Sequence, residues 1–144
     1  MATYQISCTI GTTDASADIS LEIWLDNIEI FTSTHVAGEI PITFDATEDE
    51  AEHELRFVMK NKSHKHTQID ELGNIINDAR LTISNVAFDE IELKQMFIDH
   101  AEYTHDFNGT QAQTTGKFYG EMGCNGTVSL KFSTPIYLWL LENM

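Results

Sequence analysis

The chain has 144 residues, of which 42% are hydrophobic, enough to bury the core of one ordinary domain. Acidic residues outnumber basic ones by 23 to 8, and the resulting net charge of −15 would repel nucleic-acid phosphates and anionic lipid head groups. No apolar run approaches the ~20 residues of a membrane span, and the start of the chain lacks the layout of a secretion signal. We therefore expect a single domain over residues 1–144 that is cytoplasmic when made and binds neither nucleic acid nor a membrane.

The first half of the chain is dominated by period-two alternation, which is typical of half-buried strands. An alternating segment at residues 6–10 places Cys8 on its apolar side. From residue 19 to residue 25 every second residue is apolar, and Trp24 occupies one of the positions between them. Asp26–Asn27 suits a tight turn because both residue types tolerate positive φ. Alternation resumes directly after this pair, so the sequence predicts a β-hairpin.

The rest of the chain continues this pattern, and helix signals are scarce. The segment 38–44 contains Pro41, which predicts a strand near a sheet edge. Further alternating segments occur at residues 54–60, 81–84, 88–93 and 128–132. Helical turns are candidates at 47–54, at 89–101 after a strand, and at 136–141, where a final strand is the alternative. We therefore expect an all-β fold, a β-sandwich or jelly roll with seven to nine short strands and at most short helical turns.

Aromatic residues give the main functional signal. Trp24 falls on the polar face of the best-defined strand, between Glu22 and Asp26. A flat indole bordered by carboxylates can stack on a sugar ring while the acids accept its hydroxyl protons. Tyr103 and Tyr119 lie near loops rich in Gly and Asn and are candidates to extend this surface. The alternative is that a long loop or the C-terminal segment covers Trp24.

Half of the positive charge is concentrated in one short region. Arg56, Lys60, Lys62 and Lys65 occur within one predicted strand and the loop after it. The simplest interpretation is a solvated edge strand protected by lysines. The alternative is a positive patch that meets an acidic face of an identical subunit or an anionic glycan.

The segment 69–78 gathers oxygen ligands around a glycine, as a hard cation such as calcium requires. The spacing is not that of an EF-hand loop. Asp70 and Asn74 can also simply shape a turn before the next strand, and this is the favoured interpretation.

Signals for catalysis are weak. The sequence contains no nucleophile elbow and no phosphate-binding glycine loop. His100 and His105 are flanked by acids, but a five-residue step does not place both on one helix face. Cys8 and Cys124 form no CxxC pair, so two free thiols are favoured over a bridge. We expect no enzyme, with a metal-dependent hydrolase that uses the two histidines as a minor alternative.

Four central segments, at residues 21–30, 53–61, 78–83 and 88–93, follow the order of a hairpin, a strand ending in Asn, an Asp-containing loop and closing strands. This order resembles the jelly-roll carbohydrate-binding modules of the calcium-dependent xylan-binding type. The resemblance covers about half of the chain and implies a non-catalytic carbohydrate-binding module, with calcium as its cofactor. It implies calcium ligands among Asn61, Asp70, Asn74 and Asp78.

A second resemblance supports an alternative function. The small, acidic, lysine-poor chain is similar to uncharacterised β-sandwich proteins encoded by phages of marine bacteria, which implies a virion protein such as a decoration or tail-associated component. The apolar C-terminal segment fits such assembly. The residues predicted to form a homo-oligomer contact are Ile136, Tyr137, Trp139 and Leu140. Trp139 itself is expected to pack into the domain or into a neighbouring subunit.

Overall fold

The computed structural model describes residues 3–14, 18–62, 67–69, 71–72, 75–106 and 112–143. Strands dominate these ranges, and the two helices have six and eight residues. In chain order the elements are β1 (Thr3–Thr12), β2 (Ser20–Leu25), β3 (Ile28–Ser33), β4 (Ile40–Thr47), β5 (Glu52–Lys60), β6 (Thr67–Ile69), β7 (Ile75–Asp78), β8 (Leu81–Phe88), β9 (Ile91–Glu92), α1 (Gln95–His100), β10 (Glu102–His105), β11 (Thr114–Lys117), β12 (Glu121–Met122), β13 (Gly126–Ser133) and α2 (Ile136–Asn143).

Two antiparallel sheets pack face to face. The five-stranded sheet has the order β12-β8-β1-β4, with β9 paired to β8, and the six-stranded sheet has the order β11-β10-β13-β5-β2-β3. Strands β6 and β7 form a separate two-stranded hairpin. The expected all-β sandwich is confirmed. The expected strand count is too low, because six of the thirteen described strands have only two to four residues and give no periodic signal.

The core lies between the inner faces of the two sheets. Phe88 of β8 and Phe132 of β13 meet with ring centroids 4.9 Å apart, and Tyr4 of β1 packs edge-on against both at 6.3 Å. All three side chains are buried. Their burial removes large apolar surfaces from water, which is the main favourable term in folding.

The predicted β-hairpin and the predicted edge position of the strand that contains Pro41 are confirmed. Asp26 and Asn27 form the turn between β2 and β3, and Asp26 has the positive φ of 54° that the turn requires. Pro41 lies on β4, an edge strand of the five-stranded sheet, where its missing N–H costs no ladder bond. Cys8 is buried, and both cysteines are free thiols.

The mixed segments also have definite structures. Residues 89–101 contain the short strand β9 and then α1, as their pattern suggests. The segment 47–54 contains no helical turn, because β4 extends to Thr47 and β5 already begins at Glu52. Neither helix has the length or apolarity needed to span a membrane, as judged on the described ranges.

The prediction of a lysine-protected edge strand is wrong. Strand β5 lies in the interior of the six-stranded sheet, between β13 and β2. Its charged residues lie on the solvent face of a central strand. In the sequence, this pattern cannot be distinguished from that of an edge strand. Lys62 is buried and donates to the Gly123 carbonyl at 2.5 Å. Lys65 lies outside the described residues.

The C-terminal segment is helical and closes one end of the core. Three of its side chains are buried, namely Ile136, Trp139 and Leu140. Trp139 contacts the rings of Phe88 and Phe132, so the expectation that it packs into the domain is confirmed. Assigning these three residues to an oligomer contact is therefore wrong, since they lie in the chain's own core. The exposed apolar side chains of α2 are Tyr137, Leu138 and Leu141.

Candidate ligand-binding surface

Trp24 lies on the outer face of the six-stranded sheet. Its neighbour Ile23 is fully buried, and Trp24 points the other way, directly opposite Arg56 of β5. The indole is half-buried. Helix α2, which was one candidate to cover it, packs instead against Phe88 and Phe132 in the core. Trp24 therefore keeps part of its ring surface toward solvent.

Three neighbouring side chains fix the indole in place. The Trp24 Nε1–H donates to Glu22 Oε1 at 2.9 Å, and the other Glu22 oxygen pairs with Lys60 Nζ at 2.8 Å. The Arg56 guanidinium lies 5.8 Å from the ring centroid, within range of a cation–π contact. The hydrogen bonds from Lys60 and then from Trp24 lower the pKa of Glu22. We call these four residues, Glu22, Trp24, Arg56 and Lys60, the Trp24 platform.

Asp26, the second predicted acceptor, has a different environment. Its carboxylate contacts His53 Nδ1 at 2.6 Å and accepts the Glu54 backbone N–H at 2.9 Å. Its backbone carbonyl accepts a hydrogen bond from Arg56 Nη2 at 2.7 Å. Asp26 therefore connects the hairpin turn to β5 and orients Arg56. Of the two acids that flank Trp24, Glu22 is the one that touches the indole.

An open cleft of about 510 Å³ lies at the end of the six-stranded sheet, next to Asp26. We call it the end cleft. Its lining residues are Asp26, Glu52, His53, Glu54, Lys131, Phe132, Ser133 and Trp139.

His53 is held between two carboxylates at the wall of this cleft. Its Nδ1 lies 2.6 Å from Asp26 Oδ2, and its Nε2 lies 2.7 Å from Asp49 Oδ1. Burial by itself lowers the pKa of His53, but the hydrogen bonds and negative charges of Asp26 and Asp49 outweigh it, so the pKa is raised. The bond from His53 is also the largest cause of a lowered pKa at Asp49. The His53 imidazole thus joins the β2–β3 turn to the β4–β5 loop.

Tyr103 does not share the Trp24 surface. It pairs with Val128 on the core side of β10, and its ring packs edge-on against Phe118 at 5.9 Å. Its hydroxyl accepts the Cys124 N–H at 2.9 Å and donates to the Cys124 carbonyl. Burial raises its pKa to about 12. The hydroxyl is therefore occupied in holding the loop before β13.

Tyr119 also lies away from Trp24. It is 74% exposed, but the chain beside it belongs with the five-stranded sheet, where Ile83 N–H donates to the Gly120 carbonyl. Tyr119 lines a separate cleft of about 200 Å³ together with Asn85 and Lys94. The structure therefore does not gather Trp24, Tyr103 and Tyr119 into one aromatic surface.

The predicted calcium ligands fall mostly outside what the structure describes. Asp70 and Asn74 lie outside the described residues, and of Asp78 only the backbone, in β7, is described. Asn61 has a positive φ of 71°, and its amide nitrogen donates to Ser20 Oγ at 2.6 Å. That bond leaves the Asn61 amide oxygen available, and an amide oxygen is a suitable calcium ligand.

The two histidines of the hydrolase alternative lie apart. His100 ends α1 and contacts Trp139, whereas His105 contacts Tyr103 at the far end of the extended strand β10. Across the described ranges, no group of three or more His, Cys, Asp or Glu side chains has the geometry of a metal site.

His53 had no predicted role, and Arg56 and Lys60 were expected beside a ligand only in the alternative interpretation of a positive patch. The alternation predicted that these residues lie on a strand. Which residues of the neighbouring strands they contact depends on the order of strands in the sheet. A cross-strand pair such as Trp24 and Arg56 is separated by 32 positions in sequence and has no local signature.

The fold is similar to that of two solved structures of a carbohydrate-binding module. One is a selenomethionine form of vCBM60, described with circular permutation between two families of calcium-dependent carbohydrate-binding modules. It aligns over 88% of this chain and 89% of its own, with 12% identity and a TM-score of 0.56. The other is vCBM60 in complex with galactobiose, aligned over 88% of this chain and 96% of its own, with 14% identity and a TM-score of 0.52.

This likeness confirms the expected structural resemblance to calcium-dependent carbohydrate-binding modules. At 12–14% identity it establishes a shared fold. No protein-family model and no curated protein matches the chain.

Proposed function

We propose that this protein is a non-catalytic carbohydrate-binding β-sandwich and that the Trp24 platform is its binding surface. The observation that carries the proposal is a half-buried indole fixed on the open face of a sheet by Glu22 and Arg56. An aromatic ring that is already immobilised loses little entropy when a ligand stacks on it. The same ring would be more stable in the core if it served packing alone.

The polar groups around the indole suit a sugar. Glu22 offers acceptor oxygens, and Lys60 and Arg56 offer N–H donors, all at the rim of one aromatic ring. The two ion pairs, Glu22 with Lys60 and Glu54 with Arg56, balance the local charge. A neutral polyhydroxyl ligand fits such a surface better than a strongly charged one.

The structural neighbours support this proposal independently of Trp24. Both are carbohydrate-binding modules, and one is bound to galactobiose. They are also described as calcium-dependent. We extend the proposal to a Ca²⁺ ion, for which Asn61 has an available amide oxygen and for which Asp70, Asn74 and Asp78 remain the other candidate ligands from the sequence.

A glycan array followed by calorimetry tests the proposal. We expect Trp24→Ala to weaken binding to the array hits by about tenfold or more, because loss of aromatic stacking costs roughly 1–3 kcal/mol per contact. Tyr119→Ala is the matched control, since it removes an exposed aromatic from the β11–β12 connection, away from Trp24, and should leave affinity unchanged. Titrations in EDTA and in CaCl₂ report the calcium dependence. Absence of any array hit, or equal effects of the two variants, would contradict the proposed site.

A role in assembly is the second candidate, and one observation favours it. Helix α2 exposes Tyr137, Leu138 and Leu141 on its outer side, and apolar side chains of this size are common at subunit contacts. A virion decoration or tail-associated protein would use such a surface. Sedimentation velocity distinguishes the two candidates: a stable oligomer that Leu138→Ser with Leu141→Ser dissociates supports assembly, and a monomer at all concentrations opposes it.

A further inference from the structure

The outer face of the six-stranded sheet continues from Trp24 into the end cleft. In the ladder that joins β2, β5 and β13, Trp24 pairs with Arg56, and Arg56 pairs with Ser129. Side chains two residues apart on a strand share a face. Two residues along from the pair of Arg56 and Ser129, toward the start of β5 and the end of β13, Glu54 pairs with Lys131. Two residues farther in the same direction, Glu52 pairs with Ser133. The platform therefore shares one face of the sheet with four residues of the cleft, Glu52, Glu54, Lys131 and Ser133.

Residues of the platform and residues of the cleft contact each other directly. Glu54, which lines the cleft, lies 3.4 Å from the Arg56 guanidinium of the platform and accepts a hydrogen bond from Ser129 at 2.7 Å. Asp26, which also lines the cleft, accepts a hydrogen bond from Arg56 through its backbone carbonyl. The two regions are thus joined through Arg56.

The far part of the cleft contains polar groups that the fold does not use. Lys131 and Glu52 are exposed and Ser133 is half-buried, and none of them forms an ion pair or side-chain hydrogen bond with another described residue. Trp139 is only 7% exposed, yet it contributes to the lining. No described residue accepts a hydrogen bond from its indole N–H. Covering these polar groups with a ligand that cannot form hydrogen bonds would cost desolvation free energy. A ligand that both donates and accepts hydrogen bonds therefore suits this part of the cleft.

Charge narrows the class of ligand. The cleft combines the carboxylates of Asp26, Glu52 and Glu54 with one described lysine, Lys131, and with His53, whose imidazole is already bonded to Asp26 and Asp49, and the whole chain carries a net charge of −15. A polyanionic glycan would be repelled by this surface. A neutral sugar, with hydroxyl groups that donate to the carboxylates and accept from Lys131 and Ser133, matches it.

The length of the surface exceeds one sugar ring. With strands ~4.8 Å apart and a rise of ~3.4 Å per residue, Trp24 lies roughly 12 Å from Lys131 and roughly 17 Å from Ser133. We propose that the Trp24 platform and the end cleft form one elongated surface that binds a segment of a neutral, linear oligosaccharide several sugars long. This inference rests on the proposed carbohydrate-binding function and adds the class of ligand, a chain in place of a single sugar.

The chain contains two tryptophans, and they report on the two parts separately. Their indole N–H signals in a ¹H–¹⁵N spectrum are assigned with Trp24→Phe. The probes are galactobiose, galactotetraose, xylobiose and xylotetraose. We expect a disaccharide to shift the Trp24 signal, and the matching tetrasaccharide to shift both signals and bind at least tenfold more tightly.

Variants locate the gain from chain length. Lys131→Ala combined with Ser133→Ala should remove most of the tetrasaccharide advantage while disaccharide affinity stays unchanged. Lys117→Ala is the matched control, because Lys117 is an exposed lysine on edge strand β11 of the same sheet and should change neither affinity.

The possible failures are distinguishable. If the Trp24 signal shifts but Trp139 never does, and tetrasaccharides bind no more tightly than disaccharides, the elongated surface is wrong and the proposed function stands. If only the Trp139 signal shifts, the cleft binds alone, and both the elongated surface and the Trp24 site are wrong. If neither signal shifts with any of the four probes, both proposals fail.

Discussion

The two faces of the six-stranded sheet differ in how their side chains are held. On the inner face, Phe57, Leu130 and Phe132 are buried against the opposite sheet and are held by packing. On the outer face, Trp24 of β2 and Arg56 of β5 each follow a buried residue of the same strand, and they are held by hydrogen bonds and ion pairs. Packing fixes the fold, and polar contacts leave the aromatic surface of Trp24 accessible.

Under the proposed function, stability and ligand recognition belong to opposite faces of the six-stranded sheet. A buried aromatic ring gains transfer free energy and dispersion contacts all around it. A ring on the solvent face gains only part of this free energy. It is held by exposed ion pairs, and each of these contributes little to stability. We therefore expect the inner face to tolerate few substitutions and the outer face to tolerate many, with His53 as an exception between them.

The largest expected effect is on the inner face. Phe132→Ala should lower the free energy of unfolding by about 3–5 kcal/mol, because it leaves a cavity among Tyr4, Phe88 and Trp139. Trp24→Ala, the same kind of truncation on the outer face, should cost about 1 kcal/mol. Urea denaturation measures both. Equal losses from the two variants would show that Trp24 belongs to the core and would remove the distinction between the faces.

Alternation along the strands made most of this fold predictable. Period-two patterns identified β1, β2, β5, β8 and β13, and the Asp26–Asn27 pair identified the hairpin turn. The short strands were missed because two to four residues carry no period. The position of β5 inside the sheet was also missed. Charged residues on its outer side have the same pattern whether it has one neighbour or two.

The candidate site was predictable only in part, since it depends on contacts distant in sequence. The position of Trp24 on a polar face followed from alternation alone. Its contacts with Arg56 and the approach of Lys60 to Glu22 depend on the pairing of β2 with β5, which no local pattern specifies. Tyr103 was assigned to the ligand surface because it lies near a polar loop, but its register on β10 turns it toward the core.

An intermediate effect is expected at His53, whose side chain is 10% exposed. His53→Gln should lower the free energy of unfolding at pH 6 by about 1–2 kcal/mol, since it removes charge-assisted hydrogen bonds to Asp26 and Asp49. Because the pKa of His53 is raised in the folded state, its stabilisation is fully present below the unfolded value of about 6.5 and is lost as the pH rises through the folded value.

The pKa of Asp49 sets the lower pH limit of the stabilisation by His53. Its pKa is lowered in the folded state, so its contribution is present above the unfolded value of about 3.9 and is lost as the pH falls through the folded value. The stability difference between wild type and His53→Gln should therefore be largest between about pH 4 and pH 6.5 and should shrink at alkaline pH. A difference that does not vary with pH would mean that His53 acts through packing against Phe132 alone.

The smallest effect is expected on the outer face, at the ion pair of Glu22 and Lys60. Glu22→Gln keeps an amide oxygen that can accept the Trp24 N–H but removes the charge that pairs with Lys60, whose side chain is 55% exposed. Exposed ion pairs contribute about 0.2–1 kcal/mol, so the free energy of unfolding should change by less than about 0.5 kcal/mol.

Lys60→Gln and the double variant complete a thermodynamic cycle, and 1 M NaCl should reduce the coupling further. A coupling above about 2 kcal/mol, insensitive to salt, would instead indicate a desolvated pair. In that case the outer face would be packed as tightly as the inner one and would leave no accessible surface for a sugar.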